Sequence, residues 1–345
     1  MTGATGFLGR QLVRSLLRAG IPPERLRCLC RDPAAAVALG LPPAAVVAGS
    51  LGDPGALRRA AAGATVVFHL AGAVKAARRR EFFATNGAGT EDLVTAVEES
   101  APGAFFVLVS SLAAAGPSTD GAGSDAPPAQ CRPVSAYGAS KLAGERAVVA
   151  GARRWAIVRP PVVYGPGDAA TRLLCRQALA PVCAVPPRAR PLSVVHVRDV
   201  ARALLCVAER EPHGGVFAID GPARTDTHAL LRAFAAACGR RARLVPVPLG
   251  LAAVAASVCD VWAATTGRAG FFNGDKVREL RAPGWVADGA ALAALGFRPE
   301  VDLEAGLREL ARGEGLRRGG PNVEDADAGG AGDDGPGNAG ADDPT

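Results

Sequence analysis

The chain has 345 residues, of which 49% are hydrophobic, and a formal net charge of +6. This length and composition allow one large core or two modest cores, and no uncharged apolar run reaches the roughly 18 residues of a membrane span. The eight cysteines lack the paired spacing of a zinc site or a disulfide framework, so we expect free thiols, no metal and a cytoplasmic location.

A glycine-rich segment opens the chain, with Gly3, Gly6 and Gly9 followed by apolar residues at helical spacing. Glycines at such a turn let backbone amides approach a pyrophosphate at the positive end of the helix. Only Met1 and Thr2 precede Gly3, whereas a mean strand has about 5–6 residues, so we expect the first strand to be truncated. We hypothesise that the true start codon lies upstream.

Short apolar runs alternate with helical patterns through the first half of the chain. The predicted strands are Leu26–Cys30, Ala45–Ala48, Thr65–Leu70, Phe105–Ser110, Trp155–Arg159 and Val216–Ile219. The clearest predicted helices are Gly9–Ala19, Thr90–Glu98 and Ala136–Ala150. This rhythm predicts an α/β fold with a doubly wound parallel sheet.

The second half predicts a smaller substrate-capping domain. We assign residues 1–165 and 196–220 to a dinucleotide-binding domain, and residues 166–195 and 221–313 to the cap. The segment from Leu249 to Thr265 is apolar apart from Asp260, and we interpret it as a cap helix, with contact to a membrane surface as the alternative. Together with Val245–Pro248, this helix is expected to form an apolar wall of the pocket.

An acidic tail ends the chain. Residues 319–345 are rich in glycine, alanine and aspartate, hold seven acidic residues and no basic ones, and are predicted to be disordered. The first 318 residues therefore carry 39 basic and 26 acidic residues, a net charge of +13. The arginines are dispersed and no basic platform with interleaved aromatic residues is present, so we do not expect nucleic acid as a partner.

Tyr137 and Lys141 stand four residues apart in a chain with two tyrosines and three lysines. On a helix this spacing stacks both side chains on one face. An ammonium beside a phenol favours the phenolate, so Tyr137 could exchange a proton with a substrate hydroxyl or carbonyl. A surface tyrosine with a lysine one turn later is the alternative interpretation.

Together with the glycine loop, this pair makes the chain resemble the extended short-chain dehydrogenase/reductases, a family with a Rossmann fold that includes nucleotide-sugar epimerases and dehydratases, dihydroflavonol reductases and 3β-hydroxysteroid dehydrogenases. The resemblance covers about residues 2 to 312. The other matching segments are His69–Gly72, Asn86–Thr90, Val109–Ser111, Arg159–Asp168 and Val195–Asp199.

The resemblance implies a role for each matched residue. Ser111 would hydrogen-bond the reacting oxygen, with Ser110 as its neighbour and a one-position ambiguity between them. Tyr137 would transfer the proton, Lys141 would lower the tyrosine pKa and bind the nicotinamide ribose, and Asn86 would support this network. The implied cofactor-binding residues are Thr2, Gly3, Thr5, Gly6, Phe7, Leu8, Gly9, Arg31, Ser50, Leu51, Leu70, Ala71, Gly72, Lys75, Ser110, Tyr137, Lys141, Pro160 and Val163.

The end of the predicted strand Leu26–Cys30, which matches the second strand of the family fold, bears on the choice between NAD and NADP. NAD enzymes place an acid there, whereas an arginine accommodates the 2′-phosphate of NADP. Here Cys30 occupies the usual acid position and Arg31 follows it, which favours NADP. Asp32 keeps NAD possible, and a surface pair between Arg31 and Asp32 is the structural alternative.

The expected reaction interconverts a secondary alcohol and a ketone by hydride transfer. The Arg159–Asp168 segment looks more like the steroid and flavonoid members than the nucleotide-sugar members, so a small hydrophobic substrate of the steroid, terpenoid or flavonoid kind is favoured. A nucleotide-sugar epimerase or dehydratase with tightly bound NAD, and a non-catalytic nucleotide-binding protein, are the alternatives. A homodimer is also possible.

Overall fold

The computed structural model describes residues 1–222, 224–267, 270 and 272–315. Its strands, in chain order, are β1 (Cys28–Cys30), β2 (Val46–Ala48), β3 (Val66–His69), β4 (Phe105–Val109), β5 (Trp155–Arg159), β6 (Val162–Tyr164), β7 (Cys183–Val185), β8 (Pro191–Leu192), β9 (Val194–His196), β10 (Gly215–Ala218), β11 (Thr225–Asp226) and β12 (Leu244–Pro246). Its helices are α1 (Phe7–Arg18), α2 (Pro33–Val37), α3 (Pro54–Ala61), α4 (Arg79–Phe83), α5 (Gly89–Ser100), α6 (Leu112–Ala115), α7 (Ala136–Gly151), α8 (Ala169–Leu179), α9 (Val197–Arg210), α10 (Thr227–Ala237), α11 (Leu249–Thr266), α12 (Gly274–Arg281), α13 (Ala290–Ala294) and α14 (Leu303–Gly313).

A parallel sheet forms the centre of the nucleotide half. Its strands run in the order β10, β5, β4, β3, and the parallel pair β1 and β2 continues beyond β3. Thr2 joins the two parts through bridges to Leu29 and His69. Its amide donates to the carbonyl of Phe68 at 3.0 Å, so the expected first strand is reduced to this one bridging residue.

The sheet is buried on both faces because successive side chains of a strand point to opposite sides. In β4, Phe105, Val107 and Val109 join one core cluster with α1 and α9. Phe106 and Leu108 join a second cluster with α3 and α5. The prediction of a doubly wound parallel sheet is thereby confirmed, and the strands that are buried on both faces are the continuous apolar runs of the sequence.

The cap has its own core. β7 pairs in parallel with β12, and β8 pairs antiparallel with β11. Apolar residues of α8, α10 and α14 pack together here, including Cys175, Phe234 and Leu307. Leu292 and Phe297 lie within the predicted cap range 221–313, but they pack within the core of the nucleotide half.

The structure differs from the predicted elements mainly at their ends. β1 begins at Cys28 and not at Leu26, and β4 ends at Val109, one residue before the predicted end. Ser110, the residue left out of β4, begins a turn that carries the site, whereas Leu26 and Arg27 lie at the other end of their strand. The predicted disordered tail, residues 319–345, lies outside the described residues.

Candidate functional site

The predicted site residues gather at one edge of the sheet. Arg31 follows β1, Ser50 follows β2, Leu70 follows β3, Ser110 follows β4 and Pro160 follows β5. These strands are parallel, so their carboxyl ends meet at the same edge, where open α/β sheets bind their ligands.

The glycine loop approaches this edge too closely for any side chain. Gly3 has a φ of +71°, and a Cβ there would lie 2.6 Å from the amide nitrogen of Ala71. A Cβ on Gly9 would lie 1.9 Å from the carbonyl oxygen of Gly3. Gly6 precedes α1 without any side-chain cap, so the first amides of the helix stay available to an anionic group. This cradle fits the pyrophosphate of a dinucleotide.

A buried chain of hydrogen bonds links the glycine loop to the middle of the site. The Thr2 hydroxyl accepts from the amide of Ala71 at 3.2 Å and lies 2.6 Å from Nδ1 of His69. His69 Nε2 lies 2.9 Å from the Thr90 hydroxyl, which donates to the carbonyl of Asn86 at 2.8 Å. These directions place the imidazole proton on Nε2. Burial lowers the pKa of His69 to about 3, so the ring is neutral and structural.

Asn86 connects the loop after β3 to α7. It lies in a π-helical turn, Ala84–Ala88, just before α5. Its Oδ1 accepts from the amide of Ala73 at 2.8 Å, and its Nδ2 donates to the Ser140 hydroxyl at 2.9 Å. Ser140 in turn donates to the carbonyl of Tyr137 at 2.7 Å. The Asn86 side chain thus joins the loop after β3 to α7, an arrangement that suits the supporting role expected of it.

Tyr137 lies in the first turn of α7, whose N-terminus is capped by the Ser135 hydroxyl. Its ring packs against Phe82, with centroids 6.0 Å apart. Burial raises the pKa of Tyr137 to about 12, and a hydrogen bond from the Ser111 hydroxyl works against that rise. Tyr137 is therefore protonated at neutral pH and has a proton to donate.

The two serines after β4 differ in their surroundings. The Ser111 hydroxyl caps α6, accepting from the amide of Ala113 at 3.2 Å, and its interaction with the phenol lowers the pKa of Tyr137. The buried hydroxyl of Ser110 has no partner in the part of the chain that the structure describes. Contact with the phenol therefore favours Ser111 over Ser110 for the role beside the reacting oxygen.

Burial, the Ser111 hydroxyl and the Glu279 carboxylate shift the pKa of Tyr137 in this structure, so the expected lowering of that pKa by Lys141 stays a prediction. Its ammonium donates to the carbonyl of Val109 at 2.8 Å, at the end of β4. Burial lowers the pKa of Lys141 to about 8, and the carboxylate of Glu145 partly offsets this. The lysine thus lies at the sheet edge, close to Gly72. The resemblance implies that it binds the nicotinamide ribose there.

A buried ion pair supports α7 from the far side. Arg159 donates from Nε and Nη2 to the two carboxylate oxygens of Glu145 at 2.8 and 2.6 Å. Nη1 of the same arginine donates to the carbonyls of Ser124 and Ala126. Because these groups are fully buried, loss of either partner would leave an uncompensated charge. The pair fixes the loop before α7 against the sheet.

The remaining predicted cofactor residues lie around the same edge. Leu51 packs against α5, where a Cβ on Gly89 would lie 3.0 Å from its side chain. Lys75 is exposed in the loop after β3, and Val163 is half-buried in β6. Nothing in their positions tests whether these residues bind the cofactor, so the assignments stay predictions.

A groove of about 510 Å³ opens at the start of α7, where Ala136 and Ala139 line it. Its walls include Phe82, Val134 and Ala136 on the nucleotide side, and Asp260 and Asp275 on the cap side. Asp260 is the residue of α11 that lines this groove, so the apolar wall expected of that helix is not formed here. The large apolar side chains of α11 face solvent instead.

Sequence reasoning missed three contacts that support the site. Thr90 stands four residues after Asn86 on a helical turn, a spacing that could have suggested its bond to the Asn86 carbonyl. Thr2 was assigned to the cofactor, without its bond to His69. Asp275 accepts from the amide of Ala136 at 2.9 Å across 139 residues of sequence, and no local pattern signals that contact.

Comparison with known proteins places this geometry in a family. The model of the NAD dependent epimerase/dehydratase family matches residues 1–220. The chain belongs to this family. It is an NAD(P)-dependent oxidoreductase of the extended short-chain type.

Two curated relatives are reductases. The chain is 37% identical over 299 residues to a protein named ceramide reductase from Caulobacter vibrioides, covering 85% of this chain and 87% of the relative. It is 29% identical over 278 residues to a 4-hydroxy-2-methyl-3-oxo-4-farnesyl-3,4-dihydroquinoline-1-oxide ketoreductase from Stigmatella aurantiaca, covering 76% and 80%.

Solved structures share the fold. A UDP-glucuronic acid 4-epimerase from Bacillus cereus, in complex with NAD, superposes with a TM-score of 0.70 at 18% identity, covering 90% of this chain and 96% of the other. A UDP-glucose 4-epimerase from Thermus thermophilus, also with NAD, gives a TM-score of 0.66 at 22% identity, covering 90% and 97%. The match to an NAD-dependent family, and not these structures, indicates a nicotinamide cofactor.

Proposed function

We propose that this enzyme reduces a ketone to a secondary alcohol on a hydrophobic, long-chain lipid of the ceramide class, with NADPH as the reductant. The observation that carries the proposal is the protonated phenol of Tyr137 in the first turn of α7, next to Ser111 and close to a groove that Ala136 and Ala139 of the same helix line. The relative named ceramide reductase, at 37% identity over most of both chains, supports a lipid over the steroid, terpenoid or flavonoid classes.

The protein's own residues supply the proton and the orientation. The Ser111 hydroxyl and the Tyr137 phenol converge on the position of a carbonyl oxygen, where they stabilise the charge that develops on it. Tyr137 then donates its proton to that oxygen. The bound nicotinamide supplies the hydride. Lys141, with a pKa near 8, keeps a positive charge near the site at neutral pH, which favours the phenolate left behind.

The groove suits an amphiphilic molecule. Phe82 and Val134 offer apolar contact close to Tyr137, whereas Arg79 and Asp275 bring charged groups to the same walls. A ceramide has polar amide and hydroxyl groups next to long acyl chains. We infer that the polar end enters toward Tyr137 and that the chains leave through the open side.

The surroundings of Arg31 support NADP. The carboxylate of Asp32 accepts hydrogen bonds from the amides of Ala34 at 3.0 Å and Ala35 at 3.3 Å, so it serves as the N-terminal cap of α2. Arg31 is exposed directly after β1. A guanidinium in this place matches the 2′-phosphate, and the engaged carboxylate is less available to a ribose hydroxyl.

The experiment is an assay of the purified full chain with NADPH or NADH and the ketone that corresponds to the secondary alcohol of a ceramide, dispersed in mixed micelles. We expect NADPH to be consumed and a product two hydrogens heavier by mass spectrometry, with NADPH preferred over NADH. An enzyme that co-purifies with NAD and consumes no added cofactor would support the epimerase alternative and contradict the proposal.

A further inference from the structure

One helix of the cap carries a continuous apolar surface on its outside. We define the outer face of α11 by five residues, each between 52% and 66% exposed: Leu251, Val254, Val258, Val261 and Trp262. They recur every three or four residues and therefore form one stripe along the helix. Contiguous apolar surface of this kind is uncommon on soluble proteins and marks an interaction site.

The opposite side of α11 is attached to the protein. Ala256 and Ala263 are buried on that side. Asp260, the one charged residue of the helix, accepts from the amide of Gly274 at 3.0 Å, at the start of α12. These contacts fix the rotation of the helix and keep the outer face outward. Within the described residues, α11 is the one helix long and apolar enough to cross a membrane by length and composition, and 11% of it is buried.

The hydroxyl groups of α11 are satisfied within the helix. Ser257 donates to the carbonyl of Ala253 at 3.0 Å, and Thr265 donates to that of Val261 at 3.1 Å. Hydroxyls bonded back to their own helix lower the cost of placing a polar residue near hydrocarbon. The helix can therefore enter an apolar phase without leaving these donors unpaired.

The charges around α11 identify the chemistry of the partner. Residues 240–281 hold seven basic and three acidic residues, a net charge of +4. Arg240, Arg241 and Arg243 are exposed just before the helix. Of the three acids, Asp275 pairs with Arg278 and Glu279 pairs with Lys276. An apolar stripe flanked by cations complements the anionic surface of a phospholipid leaflet.

We propose that the outer face of α11 lies in the plane of an anionic phospholipid leaflet and holds the enzyme on it. A spanning orientation does not fit, because β12 pairs with β7 before the helix and Asp275 of α12 bonds to α7 after it. In the plane, the outer stripe enters the acyl region and Trp262 reaches the headgroup boundary. Asp260, on the inner side, lines the groove at the start of α7, so docking holds that groove within one helix diameter, about 10 Å, of the lipid surface.

The test is flotation of the full chain with vesicles of phosphatidylcholine and phosphatidylglycerol, without substrate, so that its result is independent of the proposed reaction. We expect the wild-type protein to float with anionic vesicles and the double variant V254E/V258E to lose binding by about tenfold or more. The matched control is L173E/V182E, which changes two other residues, 46% and 50% exposed, and should float like the wild type.

Two further measurements keep the test decisive. Trp262 fluorescence should shift to the blue on vesicle addition, and W262F should remove that shift. Circular dichroism and NADPH binding verify that the variants are folded, and V254A/V258A should give an intermediate loss. The proposal is overturned if the wild-type protein stays in solution, if V254E/V258E floats equally well, or if V254E/V258E converts a dimer to a monomer without lipid, which would assign this face to a second copy.

Discussion

The edge of the sheet around Tyr137 and the outer face of α11 both depart from the usual pattern of apolar residues inside and polar residues outside. At the sheet edge, polar groups such as His69, Asn86 and Lys141 are buried and hydrogen-bonded to one another or to the backbone. On α11, large apolar side chains are exposed. Burying polar groups and exposing apolar ones both oppose folding stability, so each region points to function rather than to stability.

The strongest test of the buried region replaces its proton donor. Tyr137→Phe should lower kcat by about a thousandfold, because the reacting oxygen then has no acid in contact with it. The matched control is Tyr164→Phe. The Tyr164 hydroxyl is buried without a partner in the described structure, so its removal should leave kcat unchanged. Similar kcat losses in the two variants would remove Tyr137 from its proposed role.

The buried hydrogen-bond chain should matter for stability more than for chemistry. His69→Leu leaves the hydroxyls of Thr2 and Thr90 without their ring partner, and we expect the free energy of unfolding to fall by about 2–4 kcal/mol. His213→Leu, at an exposed histidine, should change it little. Denaturant titration of both variants measures the difference, and equal effects would mean that the buried hydrogen bonds of His69 contribute nothing to stability.

Lys141 should show a pH signature of burial. Its pKa is near 8 in the folded state and near 10.5 in the unfolded chain, so the unfolded state binds more protons between those values and stability rises with pH. Relative to Lys141→Met, the wild type should gain roughly 2 kcal/mol of unfolding free energy between pH 7 and pH 9.5. Lys276→Met, at an exposed lysine, should show no such gain. Activity of the wild type should fall above about pH 8 as Lys141 loses its proton.

At the rim of the same region, Arg31 should select the cofactor. Arg31→Ala should weaken NADPH binding by about tenfold, or about 1.4 kcal/mol, and leave NADH binding unchanged. Arg18→Ala, at the exposed far end of α1, is the control and should affect neither. Tighter NADH than NADPH binding by the wild type would contradict the assignment of Arg31.

The smallest effect is expected on the outer face of α11. V254E/V258E should change the free energy of unfolding by less than about 0.5 kcal/mol, because those side chains are exposed in the folded protein as well as in the unfolded chain. A large loss of stability would show that this face packs against protein and would remove the contrast between the two regions.

The local features of the site could be predicted from the sequence, and the distant contacts could not. The glycine loop and the pair of Tyr137 and Lys141 are encoded within a few residues, so spacing reveals them. The bond between Thr2 and His69 joins residues 67 positions apart. The bond from Ala136 to Asp275 spans 139 positions. Such contacts depend on the tertiary fold, which no local pattern contains.

The helix α11 illustrates the same limit for orientation. Its apolar composition predicts a helix, but it is apolar on nearly every side, so no amphipathic pattern tells which side is buried. The predicted apolar wall assumed that the large side chains faced the groove. The structure places Asp260 there, because its carboxylate bonds to the amide that begins α12.

The central claim is that Tyr137 at the sheet edge delivers the proton during hydride transfer to a lipid ketone. The most direct measurement uses NADPH deuterated at its transferable position, with mass spectrometry of the lipid product. We expect deuterium on the carbinol carbon with the wild-type enzyme and with Tyr164→Phe, and only a trace with Tyr137→Phe over the same time. Equal incorporation by Tyr137→Phe, or none by the wild type, would contradict this account.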